Sequence, residues 1–112
     1  MKIAFTTKGT EWDSMMDPRF GRTEFILVYD DKSEEFTHHD NNSVSDHAHG
    51  AGPKTAQTLF DFDPDVLITG NGPGGNAATV LKKAGIDIYV GAGDMKVREA
   101  WEAYKIGKLK KF

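Results

Sequence analysis

The stretch from Asp65 to Asn76, DVLITGNGPGGN, constrains the fold more than any other. Val66 to Thr69 is a run of apolar and β-branched residues, which suits a strand buried on both faces of a parallel sheet better than one with a solvated face. The run breaks into glycine at 70, 72, 74 and 75 and then opens an alanine-rich segment, so the order reads strand, loop, helix. Glycine tolerates positive φ and leaves backbone N–H groups uncovered, and such a turn at a helix N-terminus can form an anion-binding concavity. A tight strand-to-helix turn with no ligand is the competing reading, and these residues alone do not separate the two. No Lys-Ser or Lys-Thr follows, which excludes a Walker loop, and Pro73 and Asn76 break the spacing of a dinucleotide fingerprint.

At 112 residues the chain has room for one core, and residues 1–112 read as a single domain without repeat or linker. With 38% hydrophobic and 28% charged residues it has the composition of a soluble globular protein, and no apolar run reaches the length of a membrane span. No signal peptide pattern is visible, so a cytoplasmic setting is expected. The absence of cysteine removes disulfides, thiolate nucleophiles and all-cysteine metal sites together. Any metal must then be held by histidine, carboxylate, methionine sulfur or the backbone. A net charge of −3 argues against general nucleic-acid binding. Lys105, Lys108, Lys110 and Lys111 make the tail locally basic, which reads as a solvated end.

Lys2 to Thr7 forms a first strand with Ile3 and Phe5 on one face. Lys8 to Arg22 lacks periodicity and contains Gly9, Pro18 and Gly21, which predicts a loop of a length that is usually functional or mobile. Strands are expected from Glu24 to Tyr29 and from Glu34 to His39, joined by a hairpin turn at Asp30-Asp31-Lys32. A polar loop from Asp40 to Gly52 precedes a helix that starts at Pro53, buries Ala56, Leu59 and Phe60, and stops at Asp63-Pro64. Beyond the glycine turn, Ala77, Val80, Leu81 and Ala84 recur at helical spacing, and Gly85 supplies the stop. Ile86 to Val90 is a further strand. Asp94 is placed to cap a last helix carrying Val97, Ala100, Trp101 and Tyr104 inward.

A hairpin followed by two right-handed crossovers predicts an α/β fold: a five-stranded mixed sheet of order 3-2-1-4-5, only strand 2 antiparallel, with helices on both faces. Following chain direction, the loops 8–22, 40–52, 70–76 and 91–93 then share the edge at the carboxyl ends of the parallel strands, where open α/β sheets bind ligands. The opposite edge receives only the short turns at 30–33, 63–64 and 85.

Asp17-Pro18-Arg19-Phe20-Gly21-Arg22, then His49-Gly50-Ala51-Gly52 leading into Ala56-Gln57, then Val66 to Gly75, resemble the dinitrogenase iron-molybdenum cofactor biosynthesis family, including its small stand-alone members, over nearly the whole chain. The resemblance implies a ribonuclease-H-like fold. It also implies non-catalytic, non-covalent binding or carriage of an anionic metal–sulfur cluster, of the molybdenum–iron or molybdenum–copper kind, with a protein donor or acceptor of that cluster as partner. Several carriers of the family use cysteine or histidine near the site, and the lack of cysteine here rules out thiolate ligation.

On that reading the cofactor-binding candidates are Arg19, Phe20, Gly21 and Arg22 on the first loop and Gly70, Asn71, Gly72, Pro73, Gly74, Gly75 and Asn76 on the glycine turn. The arginine forks suit an oxo- or sulfido-anion, with carboxylate pairing as the competing explanation. His47 and His49, spaced i, i+2, are the metal-ligand candidates, and His38 and His39 are weaker ones. Trp12, Met15 and Met16 offer an apolar, polarisable surface that either touches a soft ligand or covers the sheet. Metal-dependent nuclease chemistry needs carboxylates on the central strands, and Lys2 to Thr6 and Val66 to Thr69 have none. A nucleophile elbow is absent as well. A phosphate- or nucleotide-binding regulatory module and an interaction scaffold without a small ligand remain the alternatives.

Overall fold

Side chains alternate along a strand, so β1 (Lys2–Thr7) sends Ile3 and Phe5 to one face and Ala4 to the other; all three are fully buried because both faces are covered. The computed structural model describes residues 1–41 and 51–112, and only the backbone of 51–53. β1 pairs antiparallel with β2 (Phe25–Asp30), which pairs antiparallel with β3 (Glu35–Asp40). On its other side β1 runs parallel to β4 (Val66–Ile68), and β4 runs parallel to β5 (Asp87–Val90). The expected order 3-2-1-4-5 is therefore present, but the sheet has six strands. Lys110 and Lys111 form β6, antiparallel to β5, so strand 2 is not alone in running backwards and the basic tail is not simply a solvated end. A strand of two exposed lysines shows no alternation of polarity for a sequence reading to find.

α1 (Ala51–Phe62) and α2 (Gly75–Lys83) cover one face, packing Ala56, Leu59, Ala77, Ala78 and Leu81 against Ala4, Ile26, Val28, Leu67 and Ile88. α3 (Val97–Lys105) covers the other, with Val97 and Ala100 against Ile3, Phe5, Leu27 and Ile68. Helices thus lie on both faces. Two expected core residues are outside it: Phe60 is 52% and Val80 49% exposed, because small residues fill the α1–α2 contact and leave these larger ones on its outer flank. The last helix is capped by Lys96, not Asp94; the Lys96 N–H donates to the Glu99 carboxylate at 2.8 Å.

The first loop is pinned to the rest of the fold by backbone hydrogen bonds. Asp17 N–H donates to Thr6 O at 2.8 Å, Met16 N–H to Met95 O at 2.8 Å, and Val97 and Arg98 N–H to Ser14 and Trp12 O at 2.9 and 3.0 Å. Met16 is buried, and Trp12 packs edge-on against Tyr29 and Phe36, so both serve as sheet cover; Met15 stays 43% exposed. The hairpin turn lies at the opposite edge, where Asp30 accepts from Lys32 N–H at 2.9 Å and Asp65 accepts from Lys2 N–H at 2.9 Å.

Candidate functional site

At the carboxyl ends of β1, β4 and β5 three loops meet through their backbones. Asn71 N–H donates to Pro18 O at 2.9 Å, and Gly91 N–H donates to Gly70 O at 3.0 Å. A Cβ on Gly70 would lie 2.5 Å from Pro18 Cα and 3.0 Å from Gly93 Cα, so only glycine lets the three chains approach this closely. Below them Thr6 and Thr69, both buried, are 2.7 Å apart through their hydroxyls. Thr6 donates to Asp17 O at 2.9 Å, so Thr69 is the donor to Thr6. The central strands thus end in hydroxyls at the place where a two-metal nuclease would present carboxylates.

Asp17 organises the first loop. Its carboxylate has no solvent exposure and accepts four hydrogen bonds: from Arg19 N–H at 3.0 Å, Arg19 Nε at 3.0 Å, Arg19 Nη2 at 2.9 Å and Glu24 N–H at 3.1 Å. Burial alone pushes this carboxyl up, but the Arg19 side chain, the two backbone donors and the arginine charge outweigh it, and the net shift is below the usual carboxylate range. Arg19 is correspondingly held more firmly protonated by its bond to Asp17. Of the two explanations for Arg19, carboxylate pairing is the one observed. Its side chain remains 49% exposed with part of the fork turned outward, but most of its charge is already matched.

Two other first-loop candidates, Phe20 and Gly21, make contacts within the fold. Phe20 is 4% exposed and sits in the core with Ile26, Leu59 and Ala77. Gly21 O accepts from Thr55 Oγ at 2.9 Å and from Asn41 Nδ2 at 3.3 Å, tying this turn to α1. Arg22 is half-buried beside it. Asn41 has no exposure and also donates to Thr23 O at 3.1 Å, while its Oδ1 has no donor among the described residues.

The glycine turn divides in two. Gly70 and Pro73 are packed, and Gly72 adopts φ +89°, the left-handed region that favours glycine. Asn71, Gly74, Gly75 and Asn76 are exposed, and a Cβ on Gly74 or Gly75 would meet nothing within 4 Å. Gly74 is the N-cap of α2 and carries no side-chain cap, so the N–H groups of Gly75, Asn76 and Ala77 open the helix without a side-chain acceptor among the described residues. From there a groove of about 240 Å³ runs between α1 and α2, walled by Ala56, Ala77 and Val80 with the carboxamides of Gln57 and Asn76 at its rim. Gln57 is steadied by Asp61 at 3.2 Å. The groove side of the site was missed from the sequence, because Ala56 and Val80 read there as helix core.

His38 and His39 occupy adjacent positions of the edge strand β3 and face opposite sides of the sheet, His38 beside Phe25 and His39 beside Phe62. They do not come together on one ion. His47 and His49 lie outside the described residues. Among the described residues no group of three His, Asp or Glu is placed to hold a metal, and none of the helices is long and apolar enough to cross a membrane.

A mixed α/β sheet covered on both faces, with a glycine turn and the start of α2 at its carboxyl edge, defines the class as an α/β domain. The chain belongs to the dinitrogenase iron-molybdenum cofactor family, whose model matches residues 1–107. The apo form of the orange protein from Desulfovibrio gigas is 32% identical, superposes with a TM-score of 0.91, and is matched over 99% of this chain and 92% of its own. A putative NifB protein of the DUF35 family from Thermotoga is 35% identical, with a TM-score of 0.81 over 98% of this chain and 91% of its own. Among curated proteins no sequence match was found.

Proposed function

We propose that this chain is a non-catalytic binder or carrier of an anionic metal–sulfur cluster in metal-cofactor assembly, and that the cluster docks on the first turn of α2. The observation that carries the reading is the open start of that helix: Gly74 and Gly75 with free space above them, three N–H groups without a side-chain cap, and the α1–α2 groove beside them. The name of the family, which refers to an iron-molybdenum cofactor, supports this reading. The donor set fits a hydrogen-bonded anion better than a ligated metal, because there is no cysteine and no clustered carboxylate or histidine among the described residues.

Magnitudes are consistent with such a site. A charge-assisted hydrogen bond contributes about 1.5 to 3 kcal/mol and a helix terminus about 0.3 to 1, so three N–H donors with the dipole behind them approach the roughly 8 kcal/mol of micromolar affinity. The apolar walls of the groove suit polarisable sulfide, and the carboxamides of Gln57 and Asn76 add donors at its rim. The test is titration of tetrathiomolybdate, alone and with cuprous ion, followed by sulfide-to-metal absorption bands, with ATP in parallel. Saturable bands at micromolar concentration support the reading. Stabilisation by ATP but not by thiomolybdate would replace it with a nucleotide-binding module.

A further inference from the structure

The ring of Phe112 is seated against the glycine turn. A Cβ on Gly72 would lie 2.7 and 2.9 Å from two carbons of that ring and 3.2 Å from Val90 Cγ1, so the ring, itself 41% exposed, packs directly on the glycine. Gly72 is held to glycine by its φ of +89°, and the ring occupies the space beside it. The ring is itself anchored. Phe112 N–H donates to Ile88 O at 2.8 Å, continuing the β5–β6 ladder, and Lys82 Nζ from the far end of α2 stands 5.2 Å from the ring centroid. Across the turn, Asn71 N–H is tied to Pro18 O, so residues 71 and 72 are gripped from both sides while Gly74 and Gly75 stay open.

We propose that Phe112 is a positioning residue for the glycine turn: by filling the space over Gly72 it sets the direction in which the N–H groups opening α2 point. Its bearing on anion affinity rests on the function proposed above, whereas its action on the turn does not. The anion and the ring act on the same segment, so binding at the start of α2 also tightens the docking of β6, since coupling between two sites is reciprocal.

The test compares the parent with Phe112→Ala and Phe112→Leu by amide hydrogen exchange of the ligand-free proteins, then by tetrathiomolybdate titration. In Phe112→Ala the hydrogen-bonded amides that flank the turn, Asn71 (to Pro18 O) and Ala78 (to Gly74 O), are expected to exchange about tenfold faster while those of β1 and α3 keep their protection, and Phe112→Leu restores most of the difference. Affinity for tetrathiomolybdate falls about fivefold in the alanine variant and recovers with leucine. Unchanged exchange at Asn71 and Ala78 in a folded Phe112→Ala protein overturns the inference whatever the anion does. Loss of protection spread equally over β1 and α3 overturns it too, since Phe112 would then act on global stability. If the parent binds no tetrathiomolybdate the cluster reading fails, and the exchange data still decide the role of Phe112.

Discussion

Two loops meet at the upper edge of the sheet, and they use their polar groups in opposite ways. Around Asp17 a carboxylate without solvent exposure accepts four hydrogen bonds, and every interaction closes on the protein itself. On another loop of the same edge, the start of α2 has no side-chain cap and two glycines with nothing above them. Among the described residues, the Asp17–Arg19 pair commits its charge to holding the fold, and the start of α2 offers backbone N–H groups with the carboxamides of Gln57 and Asn76 nearby. Arg19, which by residue type looks well suited to an anion, is on the closed side.

The largest expected effect comes from opening the closed side. Asp17→Asn keeps the shape but loses the anion that four donors converge on, leaving Arg19 unmatched at a buried partner. Charged hydrogen bonds of this kind contribute about 1.5 to 3 kcal/mol each, partly offset by the desolvation of the carboxylate, so a loss of about 2 to 4 kcal/mol in denaturant unfolding is expected. The pH dependence has a defined sign. The folded-state pKa of Asp17 is lowered, so its stabilisation is fully present above the ordinary carboxylate value and is lost only as pH falls through the lower, folded-state value. The parent should therefore lose this contribution below about pH 4, and Asp17→Asn should show a flatter acid limb. An equally stable asparagine variant would mean that the node is decorative.

The open side should respond in binding and not in stability. Gly74 has φ −64° and ψ 167°, an extended conformation open to any residue, and free space around its Cβ position. Gly74→Val is therefore expected to change stability by less than about 1 kcal/mol while its branched side chain covers the N–H groups and weakens tetrathiomolybdate about tenfold, roughly 1.4 kcal/mol. Gly72 is unsuitable for this test, since at φ +89° valine is strained and would also displace the Phe112 ring, mixing a backbone effect with the loss of binding. A folded Gly74→Val protein that binds as tightly as the parent would place the anion elsewhere.

Much of this edge could be read from the sequence, for definable reasons. The strand order and the convergence of the loops follow from chain direction and crossover handedness, which need only the element sequence β, β, β, α, β, α, β, α. The glycine turn was legible as a turn because Val66 to Thr69 stops abruptly at Gly70. Its division into a packed half and an open half was not, since that depends on Pro18, Gly93 and Phe112 arriving from distant parts of the chain. Carboxylate pairing of Arg19 was legible as one of two choices, but that Asp17 is the partner only the geometry shows. β6 escaped because two lysines carry no periodicity; it exists through its pairing with Tyr89 and Val90. Phe60 and Val80 were misplaced because helical spacing marks a stripe but not its width, and alanine at 56, 77 and 78 already fills the contact.

A smaller effect is expected at Arg19. Its guanidinium is half exposed and its charge is matched by Asp17, so toward an incoming anion it offers a residual N–H fork with little net field. Arg19→Ala should weaken tetrathiomolybdate by less than Gly74→Val, about two- to threefold, and surface screening should reduce even that at high salt. If Arg19→Ala proves the more damaging of the two, the arginine breaks its pair on binding and the closed side takes part after all.

The smallest effect should come from the histidines of β3. Adjacent residues of a strand point to opposite faces, and His38 rests by Phe25 while His39 rests by Phe62, so no single ion can draw on both without unpairing the strand. Neither ring is among the residues walling the α1–α2 groove. Substituting each with alanine, separately and together, is expected to leave tetrathiomolybdate affinity within about twofold, and the double variant should equal the product of the singles, as for independent sites. Titration followed by absorption checks this directly. A tenfold loss in either single variant would move the ligand from the start of α2 to the end of β3, and a loss confined to the double variant would require the edge strand to rearrange around a metal.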